Sequence, residues 1–151
     1  PYNAARENLP GQATTCPMLL HMVDVALDET VATVGNVHGV WEPSGVDSER
    51  RFVMADKIVA AVSGKSHMVL VGDFNMRPDT QATGRIGNVL NSVFKEELPN
   101  TMNMRRRDDM LYATLAVDMM FVSSDISVRS HYMPDVDVSD HMPLVMEFEI
   151  K

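Results

Sequence analysis

Hydrophobic and polar residues follow two different periods along this chain. The apolar runs 18–26 and 30–37 are separated by three residues, which predicts an antiparallel hairpin. Between residues 48 and 63 the apolar positions recur at helical spacing, so this segment is predicted to be a helix that Asp47 or Ser48 caps. Arg50, Arg51 and Lys57 lie off its apolar face and are predicted to be solvated. A second helix is predicted from about residue 86 to residue 94.

The remaining apolar runs have strand character. Residues 69–71 have no polar face, which predicts a strand buried on both sides. Residues 115–122 predict a strand that Asp118 interrupts, and residues 126–132 a short one. In the last strand Met146, Phe148 and Ile150 share one face. This order gives hairpins rather than regular β-α-β alternation, and it predicts an α+β sandwich of mostly antiparallel strands with helices outside.

Composition narrows the class of protein. The chain has 151 residues, of which 45% are hydrophobic, enough for one domain with its own core. A single cysteine excludes an internal disulfide, and no segment is long and apolar enough to span a bilayer. The net charge of −8 argues mildly against tight, static binding of nucleic acid. The one basic run, residues 105–107, is predicted to be a solvated loop paired with Asp108 and Asp109; the alternative is a loop that faces phosphate.

Polar side chains recur at the ends of, or inside, the predicted apolar strands. A carboxylate or amide in such a place suits a metal, a water or a phosphate better than packing, and a carboxylate inside a strand needs a partner. Each alone is more simply a local feature, such as an Asx turn or a hydrogen-bonded strand histidine. Together they make an inventory suited to phosphoester hydrolysis: Asn36, His38, Asp73, Asn75, Asp118, Asp140 and His141.

The order of these motifs is recognisable. Asn-x-His at residues 36–38 precedes Gly-Asp-Phe-Asn at 72–75, then Val-Asp-Met-Met-Phe-Val-Ser at 117–123, then Ser-Asp-His-Met-Pro at 139–143. This succession resembles the endonuclease/exonuclease/phosphatase superfamily, which includes pancreatic-type deoxyribonuclease, apurinic endonucleases, neutral sphingomyelinases and inositol polyphosphate 5-phosphatases. Four short motifs in the right order are far more specific than one.

The resemblance implies a role for each matched residue and a Mg²⁺ or Mn²⁺ cofactor. It implies that His141 contacts the scissile phosphate with Asp118 behind it, and that Asp73 orients or deprotonates the attacking water. It also implies that Asn75 donates a hydrogen bond to the phosphate oxygens and that Asp140 is a metal ligand. His38 is similar to a second histidine near the leaving group, and Asn36 to a residue that supports it.

One part of the family pattern is missing from this sequence. Family members begin with a strand that carries an Asn, followed by a strand that ends in Gln-Glu, whose Glu is the principal metal ligand; no Gln-Glu occurs here. Residues 17–151 therefore resemble the C-terminal portion of a two-sheet sandwich flanked by helices that lacks its N-terminal part, and residues 1–16 are predicted to be a loop or lead-in. By itself this chain is expected to bind metal weakly and to turn over no substrate. It is also expected to pair with another copy, to pair with a separate front segment, or to be unstable.

Two functional hypotheses remain open. The first is a metal-dependent phosphodiesterase, nuclease or phosphatase. The alternative is a non-catalytic binding or interaction module that kept the scaffold and lost the metal-binding Glu. The expected substrate is a phosphoester, and nucleic acid, phospholipid head group, inositol phosphate and small nucleotide all fit the same chemistry. The loops expected to select among them lie around residues 41–43, 77–87 and 102–109.

Overall fold

The computed structural model describes residues 18–27 and 29–151, so the predicted lead-in at residues 1–16 lies outside the described residues. That part of the chain contains seven strands, two α-helices and a 3-10 helix at Met110–Thr114. In chain order the elements are β1 Leu19–Leu27, β2 Thr30–His38, α1 Glu49–Val62, β3 Met68–Asp73, α2 Gln81–Gly87, β4 Asn91–Ser92, β5 Asp118–Val122, β6 Ile126–Tyr132 and β7 Val145–Ile150.

The strands form two sheets. The larger has the order β1-β2-β3-β5-β4, and the smaller pairs β6 with β7. Only β2 and β3 run parallel among the described pairs, and the others are antiparallel. The prediction of an α+β fold with two sheets and mostly antiparallel strands is confirmed.

Each face of the larger sheet has its own apolar core. On one face β2, β3 and β5 pack against the two helices, and on the other β3 and β5 pack against β6 and β7. Neighbouring residues of β3 divide between them, because Val69 belongs to the second core and Leu70 to the first. The prediction that this strand is buried on both faces is confirmed. The helix-side core contains Val37, Met54, Ala55, Ile58, Leu70, Phe74, Ala82, Ile86 and Phe121.

Helix α1 forms where the periodicity predicts it, but one of its arginines does not lie in solvent. The Ser48 hydroxyl caps the helix by accepting the Arg51 N–H at 3.3 Å. Arg51 itself is fully buried, and its guanidinium donates to the carbonyl oxygens of Val46 and Glu42. The prediction that Arg51 is solvated was wrong, because these carbonyls and the Glu42 carboxylate 3.6 Å away replace water around its charge.

The second helix lies earlier in the chain than predicted. Helix α2 spans Gln81–Gly87, and the strand β4 follows at Asn91–Ser92. The Asp47 carboxylate accepts the N–H groups of Gln81 and Ala82 at 3.0 and 2.9 Å and so fixes the start of α2. Residues 93–94 belong instead to the core beneath the smaller sheet. Val93 N donates to Met120 O of β5 at 2.9 Å, which holds this segment against the larger sheet.

None of the helices in the described part of the chain is long and apolar enough to cross a bilayer.

Glycine is required at one point of the central sheet. Gly72 lies opposite Val37 in the parallel β2–β3 ladder and has φ +137°. A Cβ atom at this position would lie 2.1 Å from the Val37 carbonyl oxygen, far inside contact distance. Both the backbone conformation and the close approach of the two strands therefore exclude a side chain here.

We expect Gly72→Ala to lower the free energy of unfolding by about 3 kcal/mol or more, because it combines a strained backbone with a backbone clash. Urea unfolding followed by circular dichroism measures the change. The matched control is Gly84→Ala in α2, where a Cβ would meet nothing within 4 Å. That variant should be neutral or more stable by up to about 1 kcal/mol. Equal stabilities of the two variants would contradict the argument.

Candidate active site

The register of three neighbouring strands brings three of the predicted residues side by side. His38 pairs with Asp73 across the β2–β3 ladder, and Asp73 pairs with Asp118 across the β3–β5 ladder. Residues directly opposite one another in a sheet project to the same face, so the three side chains form a row at one end of the strands. Asp118 begins β5 and does not interrupt it, which corrects the predicted 115–122 strand.

The Gly-Asp-Phe-Asn segment turns sharply after β3. Asp73 Oδ1 accepts the backbone N–H of Asn75 at 2.8 Å, and Asn75 has φ +53°, a conformation that asparagine tolerates better than most residues. The Asn75 amide donates to the Gly39 carbonyl at 3.2 Å. Phe74 is fully buried in the helix-side core. The turn therefore holds two polar side chains against the end of β2.

His141 and Asp118 form the predicted pair. His141 Nδ1 lies 2.8 Å from Asp118 Oδ2, although the residues are 23 positions apart. The same carboxylate oxygen accepts the hydroxyl of Thr101 at 2.5 Å. The Thr101 hydroxyl also accepts the backbone N–H groups of Val117 and Asp118, at 3.0 and 3.1 Å. Asp118 is thus held between a buried hydroxyl and an imidazole, which meets the need for a partner.

A short antiparallel contact delivers His141 to this carboxylate. Met102 forms an isolated bridge with His141, Met142 N donates to Thr101 O at 2.8 Å, and Asn103 N donates to Asp140 O at 2.9 Å. Thr101 and Asn103 are almost completely buried, although both lie in a stretch that reads as polar loop. Sequence reasoning missed them because neither belongs to a motif and no apolar period surrounds them.

The charges of the site shift two pKa values upward. The hydrogen bond to Asp118 raises the pKa of His141 above its ordinary value; partial burial opposes this, and the charges of Asp118, Asp73 and Asp140 add to it. Burial raises the pKa of Asp73, and the neighbouring Asp118 carboxylate raises it further, against the hydrogen bond from Asn75. His141 therefore holds its proton to a higher pH than an ordinary histidine does, and Asp73 accepts a proton more readily than an ordinary aspartate does.

The basic run pairs with a different acidic segment from the one predicted. Arg105 and Arg106 bind Asp135 and Asp137, and Arg107 donates to Asp140 at 2.5 Å. The prediction of Asp108 and Asp109 as partners was wrong, because loop 101–107 lies along loop 135–142 through the backbone contacts of residues 101–103. Partial burial opposes ionisation of Asp140, but the guanidinium of Arg107 and the charge of His141 bring its pKa below the usual range.

These groups border a cavity of about 290 Å³. Four of the predicted residues line it, namely His38, Asp73, Asn75 and His141. Asp118 lies behind His141, and Asp140 reaches the cavity only through Arg107, which is itself a lining residue. Asn36 is exposed on β2, two residues before His38, and does not line the cavity. The other lining residues are Trp41, Glu42, Pro43, Gly45, Met102, Tyr112, Leu115 and Val117.

The described side chains do not by themselves fit a divalent metal ion. Within residues 18–27 and 29–151 no three Asp, Glu, His or Cys side chains group closely enough to hold one. Asp140, the predicted ligand, is engaged by Arg107. Magnesium binds reluctantly even to good carboxylate sites, so an ion here would need ligands beyond Asp140. The role of Asp140 as a ligand stays a prediction, as do the roles of the other site residues.

We expect Asp118→Asn to lower the pKa of His141, because the hydrogen-bonded carboxylate is the largest cause of its elevation. A raised histidine pKa stabilises the fold below the unfolded-state value of about 6.5, and this contribution is lost as pH rises through the folded-state pKa. The variant should therefore lose stability mainly at acidic pH. NMR titration of the imidazole measures the shift. Asp135→Asn, which alters an exposed ion pair with Arg105, is the control. An unchanged His141 pKa in Asp118→Asn would contradict the argument.

Solved structures similar to this chain share the fold at low sequence identity. An endonuclease/exonuclease/phosphatase from Bacteroides vulgatus superimposes with a TM-score of 0.60 at 21% identity, over 80% of this chain and 51% of its own. A mannosyl-6-phosphatase from Bacteroides thetaiotaomicron gives 0.59 at 20% identity, over 80% and 52%. TDP2 from D. rerio, solved with a single-strand DNA product, gives 0.69 at 13% identity, over 87% and 62%.

This chain thus spans between 51% and 62% of the length of these three solved structures. Comparison with curated protein sequences gives no significant match. The strongest sequence evidence is a family model that matches residues 5–141, nearly the whole chain and all four motifs up to His141. On this match and the shared fold, the chain belongs to the endonuclease/exonuclease/phosphatase family.

Proposed function

We propose that this chain carries the reacting side chains of a phosphoester hydrolase. The observation that carries the proposal is the contact of 2.8 Å between His141 and Asp118, set beside Asp73 and His38 at the edge of one cavity. A carboxylate that holds an imidazole and favours its charged form is the arrangement that phosphate chemistry needs, because negative charge develops on phosphate oxygens in the transition state.

Each side chain has a role that its environment supports. Protonated His141 would donate a hydrogen bond to a phosphate oxygen, with Asp118 and Thr101 holding its ring in place. Asp73, whose pKa is raised, would orient the attacking water and accept its proton. The Asn75 amide has a second N–H besides the one given to Gly39, and this would meet another phosphate oxygen. Asp73 lies between His38 and Asp118 in the sheet, and His38 would act near the leaving group.

One observation favours the alternative of a non-catalytic binding module on the same scaffold. The Asp140 carboxylate is bound by Arg107, and the described residues form no cluster of three metal ligands. Such a module would still bind an anionic group through His141 and Arg107, but it would not hydrolyse it. Turnover and metal binding separate the two functions.

We expect His141→Ala to reduce phosphoester turnover by the complete protein by about 10²–10³-fold, because a single donor to transition-state charge contributes roughly that much. Hydrolysis of bis(p-nitrophenyl) phosphate with Mg²⁺ measures it, and circular dichroism checks the fold. The matched control is His21→Ala, which alters an exposed histidine of β1 that does not line the cavity. Turnover that is equal in the wild type and in His141→Ala would remove His141 from the mechanism.

We expect the 151-residue chain to bind Mg²⁺ only weakly, with a dissociation constant on the order of millimolar or higher, because Asp140 is occupied and too few carboxylates surround it. Calorimetric titration with Mg²⁺ measures the affinity. Arg107→Gln should tighten binding several-fold by freeing Asp140, whereas Asp140→Asn should not. Micromolar binding by the wild-type chain would show that a complete ligand set is present and would oppose the binding-module alternative.

A further inference from the structure

Two chemical kinds of side chain line the cavity. The predicted reacting groups His38, Asp73, Asn75 and His141 are polar, whereas much of the remaining lining is aromatic or aliphatic. That second set comprises Trp41, Pro43, Met102, Tyr112, Leu115 and Val117. A substrate with a charged phosphate and an apolar remainder would match both kinds of lining.

Trp41 lines the cavity and does not fill an apolar core of the described chain. Its surface is 45% exposed. The loop that follows it is nevertheless fixed, because buried Arg51 donates to the carbonyls of Glu42 and Val46. Trp41 also follows His38 by three residues, directly beyond the end of β2. A large ring is thus held at the cavity without being used for packing.

A second aromatic residue of the lining, Tyr112, is stacked with a charged group. The guanidinium carbon of Arg107 lies 4.6 Å from the centre of the Tyr112 ring, and the same side chain donates to Asp140. Arg107 is the only lysine or arginine among the described residues that line the cavity. Tyr112 therefore presents an aromatic surface beside a fixed positive charge.

The remaining polar groups do not suit a sugar or polyol. Besides Asp73, Glu42 is the one carboxylate among the described lining residues, and it is engaged by the Ser48 hydroxyl and by Arg50 and Arg51 at 3.9 and 3.6 Å. A ligand with many hydroxyl groups would leave them without partners, which costs binding energy. A cavity of about 290 Å³ lies near the lower limit of ligand-pocket volumes and suits a small ligand, and the net charge of −8 disfavours a long polyanion.

We propose that the site takes a small phosphoester that carries a planar aromatic ring, of the mononucleotide class, with the ring against Trp41 and the phosphate at His141. This inference rests on the proposed function for the phosphate group, and it adds the chemistry that binds the rest of the substrate. Trp41 and Tyr112 then determine specificity, because an aromatic face binds any nucleobase by stacking while it offers nothing to an open polyol.

The single tryptophan of the chain gives a direct test. Adenosine 5′-monophosphate is titrated into the 151-residue chain while Trp41 emission is recorded, and ribose 5-phosphate serves as a probe with the same sugar and phosphate but no base. We expect saturable quenching by the nucleotide and an affinity at least about tenfold higher than for ribose 5-phosphate. Equal affinities for the nucleotide and for ribose 5-phosphate would overturn the inference. So would Trp41 emission that stays unchanged at a nucleotide concentration shown by calorimetry to be saturating.

Variants locate the contact independently of fluorescence. By calorimetry, Trp41→Ala and Tyr112→Ala should each lose about tenfold in nucleotide affinity and little in affinity for ribose 5-phosphate, whereas Trp41→Phe should keep most of the preference. The matched control is Leu111→Ala, next to Tyr112 in the chain, which is 77% exposed and does not line the cavity. Circular dichroism verifies that each variant is folded. A base preference that survives in Trp41→Ala and Tyr112→Ala would overturn the assignment.

The two proposals fail in different ways. Stacking of the nucleotide on Trp41 without turnover by the complete protein would refute hydrolysis and leave this inference standing. Hydrolysis with equal efficiency for esters with and without an aromatic ring would refute this inference and leave the proposed function standing.

Discussion

The structure depends on the central strand β3 and on how closely it approaches its neighbour β2. This strand packs against the helices on one face and against β6–β7 on the other, so its position fixes both cores. Gly72 allows β3 to lie against Val37 at a distance that no side chain would permit. The β2–β3 register places His38 opposite Asp73, and the β3–β5 register places Asp118 on the other side of Asp73, so β3 joins the row of three side chains.

That row places two carboxylates next to each other, which is unfavourable unless each is compensated. The Thr101 hydroxyl and His141 compensate the charge of Asp118. The charge of Asp73 is compensated less fully, and its pKa is raised by burial and by the neighbouring Asp118. The same electrostatic arrangement favours a charged His141 and a proton-accepting Asp73. The stability cost of the site and its proposed chemistry therefore have one physical origin.

Two loops complete the site, and buried polar contacts hold both. Arg51 anchors the loop after β2 through backbone carbonyls, and this loop carries Trp41. Loops 101–107 and 135–142 are joined by backbone hydrogen bonds, by buried Asn103, and by three exposed arginine–aspartate pairs. Exposed pairs contribute little individually. The buried contacts hold these loops in place, and the exposed pairs orient the side chains at the rim.

The sequence alone determined the features that depend on neighbouring residues: the β1–β2 hairpin, helix α1, the alternation of β7, and the family through its four motifs. That Asp118 has a partner was predictable because a carboxylate in an apolar strand needs one, and the family resemblance implied that the partner is His141. Only the tertiary structure decided the position of α2, the burial of Arg51, the partners of the basic run, the place of Thr101 and the aromatic rim of the cavity. Most of these rest on contacts between residues far apart in the chain, such as Asp47 with Gln81 or Arg107 with Asp140, and no local period or motif encodes such contacts.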